Sequence, residues 1–199
     1  ASATGYVGLV SGDVGTVTVS GAGSQWLLNG VLNIGTTGVG TLNVQNGGAV
    51  SNSVGNTFLG VGSAGNGTAI IDGVGSQLTT SAFFVGYSGL GALTVQNGGL
   101  VTTLSIAYVG DTGSSPGSVL VTGSGSQWNV GSTLIFGVTG SGTLTVADGD
   151  RVAGASTIYL SDVANSSGTA TVTGSGSLLT GGKLVVGYVG KGALTVAGG

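Results

Sequence analysis

Residues 40–48 read GTLNVQNGG, residues 91–99 GALTVQNGG and residues 142–150 GTLTVADGD, and from residue 192 the chain ends on GALTVAGG. The stretches recur about every 51 residues, a period that belongs to solenoids and arrays whose units are completed by their neighbours. Inside each stretch apolar and polar residues alternate with the period of a strand. Leu42 and Val44, Leu93 and Val95, Leu144 and Val146, and Leu194 and Val196 face one side; Asn43, Thr94, Thr145 and Thr195 face the other. The Asn-Gly pairs at 46–47 and 97–98 suit a left-handed corner directly after the strand.

A second motif interleaves at the same period: GAGSQW at 21–26, GVGSQL at 73–78, GSGSQW at 123–128 and GSGSLL at 174–179. Each unit therefore holds two related halves of about 25 residues. The halves align on a strand that ends in an apolar and then a small residue: Val7-Gly8, Ile34-Gly35, Leu59-Gly60, Val85-Gly86, Val109-Gly110, Phe136-Gly137, Leu160-Ser161 and Val186-Gly187. A second strand ends at Val19, Val44, Ile71, Val95, Val121, Val146, Val172 and Val196. A third apolar position follows at Trp26, Val50, Leu78, Val101, Trp128, Val152 and Leu178. Three short strands separated by Gly, Ser and Asn turns make one triangular coil, and no segment has a helical period.

The expected fold is all-β: a right-handed parallel β-helix, or β-solenoid, of eight coils of roughly 25 residues over residues 1–199. Residues 1–199 form one domain of four two-coil repeats. Equivalent strands of neighbouring coils would pair in parallel about 4.8 Å apart, giving a rod roughly 40 Å long. The inward columns are almost purely aliphatic, which predicts a dry core. Trp26 and Trp128 share their slot with Leu78 and Leu178, which places them in that core.

Composition narrows the chemistry. Six acidic and three basic side chains make the chain only 5% charged, against about 25% in ordinary soluble domains. There is no histidine, cysteine or glutamate. The 45 glycines are not spaced as in collagen, and a 40% hydrophobic content speaks against disorder. No uninterrupted run of about 18 apolar residues exists to span a membrane as a helix. A net charge of −3 without a basic patch speaks against nucleic acid as a partner.

The alternation of GSGSxW with VGxxGxGTLTVxNGGxV resembles the passenger-domain repeats of bacterial autotransporters, the type V secreted adhesins, over nearly the whole chain. The resemblance implies a right-handed β-helix at the bacterial cell surface or outside the cell, carried outward by a C-terminal membrane barrel. Neither that barrel nor a signal peptide is in these residues, and the last coil stops after its second strand. The expectation is a fragment of a longer passenger, with membrane contact only through the missing barrel. The family's enzymes carry their activity in inserted domains, and this chain has no insertion of that length.

An enzyme is not expected. Asp13, Asp72, Asp111, Asp148, Asp150 and Asp162 fall at different coil positions, so no pair of carboxylates converges on one face. The cluster Asp148, Asp150 and Arg151 reads as a solvated turn with a local ion pair. No cofactor is expected, and no metal, since the nonapeptide of calcium β-rolls does not occur.

The candidate binding feature is an apolar stripe one residue before each strand end: Tyr6, Phe58, Phe84, Tyr108, Ile135, Tyr159 and Val185, interrupted by Asn33. Such a stripe faces outward by alternation and would be a recognition surface; a bend or a covering loop would hide it. Aromatic faces suit sugar rings and protein partners. A threonine column at Thr18, Thr94, Thr145, Thr171 and Thr195, broken at Asn43, Ile70 and Leu120, has cross-strand packing as its default reading. The expected function is a rigid structural and adhesive stalk of a surface-exposed passenger, with lateral surface for self-association or for contact with a host surface protein or glycan. A polysaccharide-active β-helix enzyme and an ice-binding solenoid are the alternatives, tested by activity on polygalacturonate and by thermal hysteresis.

Overall fold

The structure is a computed structural model that describes residues 4–113, 115–154 and 156–198. Among these residues the regular structure is all β, in three parallel sheets that run the length of the rod. The first strands of all eight coils form one sheet, the second strands another, and the third strands of seven coils a third. Coil 4 shows the unit: Phe83–Val85, Leu90–Gln96 and Leu100–Thr103, each paired to its equivalent above and below. Glycine, serine and asparagine break the chain into strands this short, and no strand finds a partner within its own coil. Each coil therefore completes its ladder only through its neighbours.

Alternation decides what is buried. Leu42 and Val44, Leu93 and Val95, and Leu144 and Val146 point into a single continuous core. Burying each such side chain stabilises the fold by about 1.5–3 kcal/mol. Trp128 is fully buried and Trp26 is packed against the core from its margin in coil 1, as the slot they share with Leu78 implies.

Two expectations need correction. In the last third-strand slot the residue paired with Val152 is Leu179, and Leu178, paired with Arg151, is exposed. The GxGS corners carry one residue more than the xNGG corners, so the inward position after Ser177 falls one residue later than a fixed spacing suggests. The core is also not purely aliphatic. Asn52, Thr80 and Thr103 form a buried column at the end of the third strand, in register with one another. Their hydrogen bonds stay inside the core: Thr80 Oγ1 donates to the Ala82 carbonyl at 3.0 Å, and Trp128 Nε1 donates to Thr103 Oγ1 at 3.1 Å. Buried polar groups with partners of this kind are tolerated because desolvation is compensated; Asn52 donates through Nδ2 to the Asn56 carbonyl at 3.0 Å, while its Oδ1 is buried without a partner.

The corner after the second strand explains the Asn-Gly pairs. Asn46 and Gly47 have φ of 53° and 82°, and Asn97 and Gly98 have 54° and 87°. The Gly48 N–H donates to the Gln45 carbonyl and the Gly99 N–H to the Gln96 carbonyl, each at 3.0 Å. Two positive φ values inside a four-residue turn closed by an N–H(i+3) to C=O(i) hydrogen bond make a type I′ turn.

Candidate interaction surface

The stripe is a true column. Tyr6, Asn33, Phe58, Phe84, Tyr108, Ile135, Tyr159 and Val185 pair in unbroken register along the first sheet. The outward middle residue of each three-residue strand is set by its two buried neighbours, as in the Phe83 and Val85 that flank Phe84. Tyr6 is 55% exposed and Phe58, Phe84, Tyr108, Tyr159 and Val185 are half-buried. Ile135 departs from the expected exposure: it is 7% exposed, a short aliphatic side chain between Tyr108 and Tyr159 in register.

Ring geometry decides what the stripe offers. Phe58 and Phe84 stack with centroids 4.4 Å apart and planes 10° apart, and Phe84 and Tyr108 stack at 5.1 Å and 26°. The rings thus lie on one another along the rod, and their faces are spent within the column. Tyr87 meets both phenylalanines at nearly right angles, with centroids 5.2 and 5.7 Å away. A ring almost equidistant from two stacked rings, and perpendicular to both, lies across their flank. The centre of the stripe therefore presents ring edges rather than ring faces to solvent.

The charged groups near the stripe are few. Burial, then the charges of Asp111 and Asp162, push the Tyr108 hydroxyl above its ordinary pKa, and burial raises that of Asp111. Ser88 Oγ and Thr112 Oγ1 lie 2.7 Å apart and tie the corner of coil 4 to that of coil 5 beside these groups. This detail was not legible in the residue pattern, because both hydroxyls sit in turns whose spacing varies from coil to coil.

The Asp148–Arg151 turn is not simply a solvated ion pair. Asp148, at φ 59°, takes the left-handed position held by Asn46 and Asn97, and Asp150 stands where Gly48 and Gly99 stand. Asp150 is 1% exposed, while Arg151 points to solvent. Its Oδ1 accepts the Ser126 N–H at 2.8 Å and its Oδ2 is buried with no partner. Burial pushes the Asp150 carboxyl upward, with Asp148 adding to it and the backbone N–H groups of Ser126 and Gly125 opposing it. A carboxyl raised in the folded state makes folding less favourable as pH climbs from the unfolded value to the folded one. Thermal unfolding should accordingly show Asp150→Asn gaining stability over the parent at pH 7.5 and losing that gain near pH 4. The gain is read as about 2–4 °C per kcal/mol for a chain of this size. An equal effect at both pH values would mean the carboxylate is not strained.

Among the described residues, no group of three or more His, Cys, Asp or Glu side chains is placed to hold a metal ion.

Comparison with known proteins gives two similarities. The chain is 33% identical over 148 residues to the adhesin BmaC autotransporter of Brucella suis biovar 1 (strain 1330), an alignment covering 69% of this chain and 4% of that protein. It is 33% identical over 205 aligned residues to the uncharacterized lipoprotein YdeK of Escherichia coli (strain K12), covering 98% of this chain and 15% of that protein. No protein-family model matches, and no solved structure matches. The chain is thus a β-solenoid similar in sequence to a small part of an autotransporter adhesin and to a small part of a lipoprotein.

Proposed function

We propose that this chain is a rigid segment of a surface-exposed autotransporter passenger that acts as a stalk and offers lateral surface for self-association or host contact. The observation that carries the reading is the continuity of the ladders. Three sheets run without a break from coil to coil around one core, and an unbroken sheet resists bending. The similarity to an autotransporter adhesin supports the surface setting. The first-sheet strands from Phe58 to Tyr108 carry no charged side chain, and Asp111 and Asp162 are the charges that reach Tyr108, so like charge at a contact between two copies is confined to that end of the stretch.

Analytical ultracentrifugation tests the self-association arm. The parent chain should associate with rising concentration, and a variant with Phe58, Phe84 and Tyr108 changed to Ser should lose that association while keeping its strand signal in circular dichroism. A parent that stays monomeric, or a variant that associates equally well, removes the stripe as a self-recognition face and leaves the stalk alone.

A further inference from the structure

Six places in the chain put glycine directly after Asn or Asp: Asn29-Gly30, Asn46-Gly47, Asn66-Gly67, Asp72-Gly73, Asn97-Gly98 and Asp148-Gly149. Such a pair has a chemistry of its own. With no Cβ on the second residue to obstruct it, the glycine nitrogen can close on the side-chain Cγ of the first. Closure needs a glycine N–H that no acceptor holds and a side chain able to turn toward it.

Five of the six pairs are held by the fold. The Gly47 N–H donates to Ser76 Oγ at 3.1 Å, and Asn46 Nδ2 donates to Ser20 Oγ at 3.1 Å. The Gly98 N–H likewise donates to Ser126 Oγ at 3.1 Å, and Asn97 Nδ2 to Asp72 Oδ1 at 2.8 Å. The Gln96 carbonyl accepts the Gly73 N–H at 3.0 Å, and Ser177 Oγ accepts the Gly149 N–H at 3.0 Å. Gly67 lies inside Asn66–Asp72, a strand paired on both sides.

Asn29-Gly30 differs from all of these. It lies between the strands Gln25–Leu27 and Leu32–Ile34, and Asn29 is exposed. Neither residue makes a hydrogen bond, through backbone or side chain, among the described residues. Its flanks are fixed instead: the Leu28 N–H donates to the Ser51 carbonyl at 2.8 Å and the Leu32 N–H to the Asn56 carbonyl at 2.9 Å. The peptide unit between Asn29 and Gly30 can therefore turn without breaking a bond of the ladder.

We propose that Asn29 is a site of spontaneous deamidation, and that among the Asn-Gly pairs of the folded chain it alone reacts fast. The Gly30 nitrogen gives its proton to solvent and bonds to Asn29 Cγ. The Cγ–Nδ2 bond breaks, and Nδ2 takes a proton from water and leaves as ammonia. Water then opens the five-membered ring at either carbonyl, leaving aspartate or isoaspartate at position 29. One water is consumed and one ammonia released, with no change of oxidation state. The product adds one negative charge to the −3 of the chain, and isoaspartate also lengthens the backbone by one carbon at this corner of coil 1. This chemistry requires no partner, so it stands whether or not the chain self-associates.

The test is incubation of the 199-residue chain in mildly alkaline buffer, folded and in urea, followed by elastase digestion and peptide mass mapping. In the folded chain the gain of about 1 Da should appear at Asn29 at least roughly tenfold faster than at Asn46, Asn66 or Asn97, whose hydrogen bonds must open first. In urea the four sites should convert at similar rates. Isoaspartate methyltransferase should label the Asn29 peptide, and Asn29→Gln should remove the fast site, because its longer side chain closes a less favourable ring. Equal rates at Asn29 and Asn97 in the folded chain would overturn the proposal. So would slowing of Asn29 by folding as much as of the other three, a mass gain without isoaspartate, or a fast gain that survives Asn29→Gln.

Discussion

Replacing Gly91 by alanine is expected to remove more than about 4 kcal/mol of stability, a loss reserved for gross steric conflict. Gly91 belongs to a column of eight glycines: Gly15, Gly40, Gly67, Gly91, Gly117, Gly142, Gly168 and Gly192 are paired in register through all the coils. At this column the second strand leaves the corner and passes directly over the end of the first. A Cβ on Gly91 would fall inside the contact radius of the Gly86 nitrogen and close on the Gly86 Cα at 2.6 Å. The obstacle is backbone, and the backbone is held, since the Gly86 N–H donates to the Leu59 carbonyl at 3.0 Å. No rotamer change relieves such a clash. Gly12→Ala is the control, because Gly12 has a φ of +87° and nothing near its Cβ position. It should lose only the 1–2 kcal/mol or so of a left-handed residue. Urea unfolding measures both. The Gly91 variant should also show a broader transition with a smaller slope, since breaking a middle coil divides a one-dimensional array. Equal losses in the two variants would mean that this corner is not close-packed.

The glycine column marks the border of what the residue pattern reveals. The repeat makes the coil, its strands and its inward columns legible, because the two halves recur four times and alternation within strands is plain. The Gly of GTLTV recurs just as faithfully, yet its reason is a through-space contact between consecutive strands, which spacing alone does not express. The exposure of Leu178 has a related reason. Two adjacent leucines both satisfy an apolar slot, and only the extra residue of the GxGS corner selects Leu179. Asn52, Thr80 and Thr103 precede a turn, where polar residues usually face solvent, yet they lie two residues beyond Val50, Leu78 and Val101 and so point the same way.

The surface was less legible than the core. Alternation places the stripe outward, and the register confirms the column, but ring orientation belongs to packing. Stacking of Phe58, Phe84 and Tyr108 turns the feature from a row of exposed faces into a ladder that stabilises the sheet, in the manner of cross-strand aromatic pairs. Asp150 shows the converse. A lone Asp-Gly-Asp turn reads as solvent-facing, and only its alignment with Gly48 and Gly99 reveals that its carboxyl has to enter a space meant for no side chain. Its unpartnered Oδ2 is the cost of that substitution.

Trp128→Ala should be the second most damaging change, at about 3–5 kcal/mol. The indole is the largest side chain that is fully buried, and it fills the interior of coil 5 between Val101 and Val152. It meets Phe83 edge-on at 6.4 Å, and its N–H is satisfied by Thr103 Oγ1. Alanine would leave a cavity bordered by three coils and strip Thr103 of that partner. The coils cannot close on the gap, because their spacing is fixed by the ladders rather than by the side chains they enclose. Trp128→Leu separates the contributions: Leu78 occupies the same slot two coils above, so leucine fits the local backbone and should cost clearly less than alanine. Denaturant unfolding followed by circular dichroism reads both variants. Hydrogen exchange should place the loss at amides 101–103, 127–130 and 151–154, with the outer coils little changed. A Trp128→Ala loss below about 1 kcal/mol, or one spread evenly over all eight coils, would contradict a core built of locally closed layers.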